Sequence, residues 1–285
     1  MEYFCLTPRW KSYTLMDFGE GWRWEKWGSY TLIRPDSWAV GPPQMPRDRW
    51  PQAPTYQPTG AYEGRWEPPL PEKWEITYHG KGWTLRLWAR TGRFKHLGIF
   101  PEQAAHWEWL YAWLKKYPGA QVLNLFAYTG AASVTAALAG AQVTHIDSSK
   151  SALTWAAENA QLNGVSAIRW IPEDARRFVQ RAARRQLLYD AILLDPPAYG
   201  IGAEGQRWEL EKDLPPLLAA LAPLLSREKG LFLLNIYSSG FSPLTLYRLL
   251  RETLAPPAPI EVGELGLTTP SGRTLSTGIF LRAAW

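Results

Sequence analysis

The sequence is poor in the residues that form disulfides and transition-metal sites. Its 285 residues include a single cysteine, Cys5, and only four histidines. One cysteine cannot form an internal disulfide, and so few thiol and imidazole ligands argue against a zinc site. We therefore expect no metal cofactor and a protein of a reducing compartment.

Long hydrophobic runs are also absent. A membrane-spanning helix needs about 20 consecutive apolar residues, and no stretch of this chain reaches that length. The first eleven residues lack a signal-peptide pattern. Because 46% of the residues are apolar, a substantial core can form and global disorder is disfavoured. We expect a soluble cytoplasmic protein without a membrane partner, and the oligomeric state does not follow from the sequence.

Acidic residues are outnumbered by basic ones. The chain has 31 lysines and arginines against 26 aspartates and glutamates, a formal net charge of +5. A basic excess suits a polyanionic partner, because lysine and arginine neutralise phosphates in nucleic-acid complexes. Many basic proteins bind no nucleic acid, so charge alone leaves both interpretations open.

Tryptophan is abundant, and thirteen of the 17 tryptophans precede residue 120. Residues 1–92 have the composition of short strands and turns. Within them, Pro35 to Pro71 holds ten prolines, which remove backbone donors and exclude long helices and central strands. We expect residues 1–92 to form a small Trp/Pro-rich, mainly β region, a candidate RNA-binding accessory, with the proline-rich segment extended and pinned by its aromatic side chains.

Residues 93–285 alternate between apolar strands and helices. Strands are predicted at 121–126, 142–146, 168–171, 191–194 and 231–236, and helices at 102–117, 130–138, 150–162, 174–185 and 210–225. This alternation is typical of a parallel sheet covered on both faces. Two further strands at 261–267 and 275–281 are joined by a short turn, which requires antiparallel pairing. The predicted fold class is α/β, a Rossmann-like parallel sheet that ends in an antiparallel C-terminal hairpin.

The glycine fingerprint of dinucleotide-binding proteins is missing. The first predicted strand leads into Phe126-Ala127-Tyr128-Thr129-Gly130, which holds one glycine. A pyrophosphate needs closely wrapped backbone, so NAD is disfavoured. Asp147 ends the second strand, where a carboxylate can accept hydrogen bonds from both ribose hydroxyls. Glu173 and Asp174 follow the third, where Asp174 could accept from an adenine amino group or cap the next helix. Together they predict a nucleoside-bearing cofactor without phosphates.

The fourth predicted strand runs into Asp195-Pro196-Pro197-Ala198-Tyr199. Consecutive prolines make a rigid loop and leave carbonyl acceptors. An aspartate and a proline carbonyl can hold a planar amino group while an aromatic ring stacks on the base that carries it. The alternative is a Pro-Pro turn capped by an acid. The position at a strand end, facing the cofactor site, favours catalysis by Asp195, Pro196, Pro197 and Tyr199.

In combination these segments resemble the bacterial large-subunit ribosomal RNA methyltransferases, a family with cytosine-C5 and guanine-N7 enzymes. The similar segments are 122–130, 147–150, 158–164 and 195–197. The resemblance implies a class I methyltransferase dependent on S-adenosylmethionine (SAM), with RNA, ribosomal RNA above all, as its partner. Residues 94–103 are similar to the segment that precedes the catalytic domain in that family and contributes to the cofactor pocket. This implies that Phe100 and Gln103 belong to the site.

One departure from the family concerns the nucleophile. Its cytosine-C5 members use a cysteine after the fifth strand, where this chain reads Asn235-Ile236-Tyr237-Ser238-Ser239-Gly240. A serine hydroxyl has a far higher pKa than a thiol and is a poor nucleophile without a paired base. We therefore predict no covalent C5 chemistry, with Ser238 as a substrate contact. A nucleobase nitrogen is the expected acceptor, because its own lone pair attacks the methyl group.

Two basic clusters are candidates for holding RNA phosphates. Arg93, Lys95 and His96 precede the catalytic domain, next to the expected cofactor mouth. The predicted helix 174–185 carries five arginines, a pattern more typical of a solvated face. Three alternatives stay open: a SAM-dependent methyltransferase for a protein or small molecule, a non-catalytic RNA-binding protein with a decayed site, and a nucleotide oxidoreductase.

Overall fold

The computed structural model of the protein describes residues 3–60, 63–202, 205–237 and 240–285. They divide into two compact units. The sheet unit comprises Met1–Leu6, His106–Leu265 and Gly278–Trp285, and the aromatic unit comprises Thr7–Ala105 and Gly266–Thr277. None of the helices in the described ranges is long and apolar enough to cross a membrane.

Seventeen strands and six α-helices occur in the described residues. The strands are β1 (Tyr3–Leu6), β2 (Tyr13–Gly19), β3 (Trp22–Trp27), β4 (Tyr30–Pro35), β5 (Thr55–Pro58), β6 (Gly64–Glu67), β7 (Lys73–Gly80), β8 (Trp83–Arg90), β9 (Gln121–Leu125), β10 (Gln142–Asp147), β11 (Ile168–Pro172), β12 (Ala191–Leu194), β13 (Tyr199–Ile201), β14 (Arg207–Glu209), β15 (Leu231–Ile236), β16 (Glu261–Thr268) and β17 (Thr274–Ala284). The helices are α1 (Ala104–Leu114), α2 (Ala131–Leu138), α3 (Lys150–Leu162), α4 (Ala175–Arg184), α5 (Leu210–Leu221) and α6 (Pro243–Thr253).

An eight-stranded sheet in the order β1-β16-β17-β15-β12-β9-β10-β11 forms the centre of the sheet unit. The five strands from β15 to β11 in this order pair in parallel, and β17 runs antiparallel to β15. This confirms the predicted α/β sheet with its antiparallel C-terminal strand. The chain leaves β9 toward β10 on one side and later returns to β12 on the other. The carboxyl ends of β9 and β12 therefore meet at a topological switch point, where ligands bind in such sheets.

Burial explains why these segments form strands and helices. All four residues of β12 and all six of β15 are buried, as expected for strands covered on both faces. In α4, the buried residues Ala175, Phe178, Val179 and Ala182 recur at helical spacing. The N-terminal strand does not belong to the separate β region that residues 1–92 were expected to form. Instead, β1 extends the large sheet by pairing in parallel with β16.

The aromatic unit contains a five-stranded sheet, β2-β3-β4-β5-β6, and a two-stranded ribbon, β7-β8. The proline-rich segment was expected to hold no central strand, yet β5 lies between β4 and β6. This prediction was wrong because Pro54 precedes β5 and Pro58 ends it, so the amides of Thr55 to Gln57 stay available. The expected aromatic anchoring is present, since Trp50, Tyr56 and Trp66 are buried.

The aromatic unit extends past residue 92, where the sequence analysis had placed a domain boundary. Tyr56 Oη donates to Arg93 O at 2.6 Å, and Lys95 Nζ donates to Pro35 O at 3.2 Å. These long-range hydrogen bonds hold residues 93–95 to β4 and β5. The division observed between the units lies between Ala105 and His106, inside α1.

A buried ionic cluster links three strands of the aromatic unit. Arg34 donates to Glu25 through Nε at 2.6 Å and through Nη2 at 3.0 Å, and Tyr13 Oη donates to Glu25 Oε1 at 2.8 Å. Burial alone would raise the pKa of Glu25, but Arg23 and Arg34 lower it to about 2. Glu25 is therefore a buried anion that depends on its arginine partners.

Replacing Glu25 tests this dependence. We expect Glu25→Ala to lower the free energy of unfolding by about 3–5 kcal/mol, because it leaves the buried guanidinium of Arg34 without its counter-ion. Arg23 keeps its pair with Asp36. Urea denaturation followed by tryptophan fluorescence measures the effect. As a control, Arg65→Ala breaks the exposed pair of Arg65 with Glu67 and should cost less than about 1 kcal/mol. Equal stability of Glu25→Ala and Arg65→Ala would contradict the analysis.

Candidate functional site

A pocket lies at the carboxyl end of the parallel sheet, where the loops after β9, β10, β11 and β12 meet. Phe126, Asp147, Glu173, Asp174 and Pro197 all line it. Each comes from a segment that the sequence analysis selected, and together they represent all four loops. The structure thus brings these residues to one place.

The loop after β9 has an unusual backbone. Phe126, Tyr128 and Gly130 have φ angles of 55°, 49° and 82°. Left-handed conformations cost about 1–3 kcal/mol each at residues other than glycine and tend to occur at functional sites. Two hydrogen bonds to the neighbouring strand hold the loop: Ala127 N donates to Ile146 O at 3.1 Å, and Tyr128 N donates to Asp147 Oδ2 at 2.8 Å.

Gly130 is required by helix packing. A Cβ added there would lie 2.9 Å from Ala156 Cβ, closer than side chains approach each other. The near neighbour of Gly130 in the structure is α3, to which Ala156 belongs. The glycine therefore acts on the pocket indirectly, by letting α2 begin tight against α3.

Buried polar residues that the sequence analysis missed support this loop. Asn159 Nδ2 donates to Thr129 O at 2.9 Å. Ser133 Oγ lies 2.9 Å from Asn124 Nδ2 and 2.9 Å from His145 Nδ1. Burial lowers the pKa of His145 to about 3, so its ring is neutral at ordinary pH. The sequence signal for these residues is that they are polar at strand and helix positions that apolar side chains usually occupy.

Among the three acids that line the pocket, Asp147 has the shortest hydrogen bonds from backbone amides. Its Oδ1 accepts from Ser149 N and its Oδ2 from Tyr128 N, both at 2.8 Å. Burial raises the pKa of the carboxyl, although the two amide donors act in the opposite direction. A carboxylate has about four acceptor positions. Asp147 can therefore keep both amide bonds and still accept from a ligand in the pocket.

Glu173 and Asp174 are each paired with an arginine of α4. Arg181 donates both terminal nitrogens to Glu173, and Arg176 Nη2 donates to Asp174 Oδ2 at 2.9 Å. Asp174 also caps α4 by accepting from Arg176 N at 2.9 Å. Burial raises the pKa of Asp174, but Arg176 lowers it by more. The capping alternative for Asp174 is therefore confirmed, and a contact with an adenine amino group stays a prediction.

The loop after β12 is held by a tryptophan that the sequence analysis did not select. Trp208 Nε1 donates to Pro197 O at 2.7 Å, and its ring lies 4.8 Å from that of Phe126. Asp195 is half-buried and Pro196 is buried. Tyr199, which begins β13, is 54% exposed. Pro197 represents this loop among the described residues that line the pocket, which include neither Asp195 nor Tyr199.

Arg176 connects the acidic side of the pocket to this tryptophan. Besides pairing with Asp174, its Nη1 donates to Arg207 O at 2.8 Å and lies 3.1 Å from Asp213 Oδ1. Its guanidinium lies 5.6 Å from the centre of the Trp208 ring. Two arginines of the predicted solvated face, Arg176 and Arg181, are therefore engaged within the protein.

The other predicted contacts belong to the aromatic unit or fall outside the described residues. Arg93 is exposed and pairs with Glu63 at 3.1 Å. Burial lowers the pKa of Lys95, and burial together with nearby cations lowers the pKa of His96 to about 3. His96 therefore carries no charge for a phosphate at neutral pH.

Phe100 packs against His96, and Gln103 is buried. Their part in a cofactor pocket stays a prediction. Ser238 lies outside the described residues.

The pocket's chemistry fits an adenosine-type ligand. Three carboxylates line it, and the described lining residues include no lysine, arginine or histidine. Carboxylates accept from ribose hydroxyls and amino groups, favour a positive charge and repel phosphates. Phe126 and Trp208 add flat apolar surface. Among the described residues, no group of three or more His, Cys, Asp or Glu side chains is placed to hold a metal ion.

Comparisons of the sequence agree with this chemistry. A family model described as S-adenosylmethionine-dependent methyltransferase matches residues 49–254. The ribosomal RNA large subunit methyltransferase K/L of Shewanella frigidimarina is 38% identical over 124 residues, which cover 42% of this chain and 17% of that protein. Its counterpart in Shewanella loihica is 39% identical over 152 residues, covering 49% and 21%. The matches thus span about a fifth of these curated relatives.

Two solved structures share the fold. The SAM-dependent methyltransferase from Agrobacterium tumefaciens is 37% identical, with a TM-score of 0.91, and the match covers 99% of this chain and 93% of that one. A second crystal structure, of a chain complexed with SAH (S-adenosylhomocysteine), is 18% identical with a TM-score of 0.70 and covers 96% and 76%. The expected class I methyltransferase fold is confirmed over nearly the whole chain.

The packing role of Gly130 can be tested by a double-mutant cycle. Gly130→Ala should destabilise the protein by more than the about 1–3 kcal/mol of a strained left-handed residue, because the new methyl group meets Ala156. Ala156→Gly should remove that collision, so its cost should be smaller in the Gly130→Ala background than in the wild type. Thermal unfolding measures all four proteins.

Gly140→Ala is the matched control, since Gly140 has a φ of 98° and nothing lies within 4 Å of an added Cβ. Gly140→Ala therefore places an alanine in a strained left-handed conformation without bringing its methyl group against another residue. If Gly130→Ala and Gly140→Ala cost the same and the cycle shows no coupling, the packing role is refuted.

Proposed function

Because this chain belongs to the family of S-adenosylmethionine-dependent methyltransferases, we propose that it methylates a nitrogen of a nucleobase in RNA, with ribosomal RNA as the substrate class. SAM is its cofactor. The observation that carries the proposal is the loop from Asp195 to Tyr199 beside the pocket. The names of the curated relatives support an RNA acceptor.

The pocket residues would hold the cofactor through its hydrogen-bond donors. Asp147 would accept from the ribose hydroxyls, and Asp174 or Glu173 from the adenine amino group. When bound, SAM supplies an electrophilic methyl group on a positively charged sulfur. The carboxylates favour that positive charge. Because Arg176 and Arg181 hold Asp174 and Glu173 in place, the site is formed before the ligand arrives.

The loop after β12 would position the acceptor. Asp195 and the carbonyl of Pro196 are assigned to the hydrogens of a base amino group. Pro197 O is already an acceptor for Trp208, so its role is to fix the loop. Tyr199 would stack on the base with its exposed ring. Alignment of the nitrogen lone pair then supplies most of the rate enhancement, and Asp195 is the acceptor for the proton that the nitrogen releases.

A nitrogen acceptor agrees with the placement of the single thiol. Cys5 lies in β1, at one edge of the eight-stranded sheet, and the pocket is built on strands toward the other edge. Covalent attack on a cytosine ring carbon needs a nucleophile next to the base. A nitrogen with its own lone pair needs none, which leaves positioning by Asp195 and Tyr199 as the main task.

The alternative is a protein or a small molecule as the methyl acceptor. The same loop could present either to the cofactor, because one scaffold serves many acceptors. A cytoplasmic location and a ribosomal substrate belong to the RNA hypothesis, and both stay predictions. The acceptor experiment below separates these possibilities.

The acceptor is identified by incubating the protein with methyl-labelled SAM and unmodified ribosomal RNA, followed by nucleoside mass spectrometry. We expect an N-methylated nucleoside. Asp195→Ala should reduce the rate by about 100-fold or more while SAM affinity, which depends on Asp147, is retained. Label on cytosine C5 would rule out the nitrogen acceptor. Label on protein or small molecules in a cell extract but not on RNA would favour the alternative.

The role of Asp147 predicts how cofactor binding depends on pH. Since burial raises the pKa of Asp147, its carboxylate becomes protonated at a higher pH than an ordinary aspartate. Protonation removes acceptor capacity, so SAM affinity should be complete above this pKa and fall as pH decreases through it. Asp147→Asn should weaken binding about 10- to 100-fold and flatten the pH dependence in calorimetry.

Asp190→Asn is the matched control for this measurement. Asp190 Oδ2 also accepts from a backbone amide, that of Gln121, at 2.8 Å, but it lies at the opposite ends of the strands. Its replacement should leave SAM affinity unchanged. Equal weakening by the two substitutions would show a general effect of stability and exclude the specific role of Asp147.

A further inference from the structure

The net positive charge of the chain is confined to one unit. The aromatic unit contains fifteen lysines and arginines against ten aspartates and glutamates, and the sheet unit contains sixteen of each. The whole excess of +5 therefore belongs to the aromatic unit, although the methyl-transfer pocket lies in the sheet unit. Because phosphate contacts dominate affinity for RNA, RNA should be held by the aromatic unit.

The ribbon β7-β8 of this unit has two different faces: the side chains of one face are buried, and those of the other are exposed or half-buried. Alternate side chains such as Ile76, Leu85 and Leu87 are fully buried. The opposite face presents the register pairs Lys73 with Arg90, Glu75 with Trp88, Thr77 with Arg86 and His79 with Thr84. We call this second set, with Lys81 of the turn, the ribbon face. Its residues are exposed or half-buried in the complete chain.

The ribbon face is basic. Between residues 73 and 90 there are four basic residues, Lys73, Lys81, Arg86 and Arg90, and one acidic residue, Glu75. Arg86 engages Glu75 through Nε at 2.8 Å and Nη2 at 2.7 Å. The remaining excess is positive, and Lys73 and Lys81 at the two ends of the ribbon are both exposed.

An aromatic ring lies among these charges. Lys73 Nζ lies 4.9 Å from the centre of the Trp88 ring, and Arg90 is directly opposite Lys73 in the register. Half of the ten tryptophans of this unit are buried, Trp27, Trp74 and Trp83 among them, and Trp88 is half-buried. Trp88 is on the outward face. Cations that border an outward aromatic ring are typical of surfaces for single-stranded nucleic acid, where bases stack and phosphates pair with the cations.

We propose that the ribbon face binds a single-stranded segment of the RNA substrate, with Lys73 and Lys81 against phosphates and Trp88 against a base. This inference rests on the proposed RNA substrate and adds where that RNA is held. The phosphate contacts are thus assigned to Lys73 and Lys81. Lys95 is half-buried and His96 is neutral, so neither suits this role.

The test measures binding of fluorescein-labelled oligouridine to the full chain by fluorescence anisotropy over a range of salt concentrations. Lys73→Ala with Lys81→Ala should weaken binding and reduce the slope of log affinity against log salt by about 1.4, at about 0.7 per phosphate for single strands. Trp88→Ala should weaken binding about tenfold, and Trp88→Phe should restore most of it. Near-ultraviolet circular dichroism verifies folding.

Lys11→Ala with Lys26→Ala is the matched control. Both lysines are exposed and belong to the same unit but lie off the ribbon, so the net charge falls equally. Binding should stay close to that of the wild type. Equal losses in the two double variants, or none in the ribbon variants, would overturn the proposal while leaving RNA methylation by the wild type intact. Failure of the wild type to bind or methylate RNA would instead overturn the proposed function and this inference together.

Discussion

The candidate site depends on the pair of amide hydrogen bonds that Asp147 accepts. The bond from Tyr128 N joins the end of β10 to the loop after β9 and holds a left-handed residue there. That loop places Phe126 against Trp208, and Trp208 in turn fixes Pro197. The loops after β9 and β12 are thus connected to the carboxylate of Asp147, which is both structural and available to a ligand in the pocket.

The two units differ in net charge. In the sheet unit the charges balance, and the pocket concentrates three carboxylates, of which Glu173 and Asp174 are paired with arginines of α4. This environment suits a positively charged, hydroxyl-bearing cofactor and disfavours phosphate. The aromatic unit carries the positive excess of the chain, which suits the RNA that we propose as the methyl acceptor.

Local sequence was sufficient for the parallel sheet, because β12 is wholly apolar and β15 is apolar except for Asn235. Asp174 also marks the start of the helix after β11. Local sequence was also sufficient to bring Asp147, Asp174 and Pro197 to one edge, since parallel strands end there. It could not show that Trp208 holds Pro197, that β1 joins β16, or that His96 is half-buried. These depend on contacts between segments far apart in the chain, which periodicity and composition do not encode.

A crystal structure of the protein with SAH would show directly whether Asp147 binds the cofactor. We expect SAH in the pocket after β9 to β12, with its ribose oxygens within hydrogen-bond distance of the Asp147 carboxylate and the amide bond from Tyr128 retained. SAH bound elsewhere, or bound in this pocket with Asp147 turned away from it, would contradict the account.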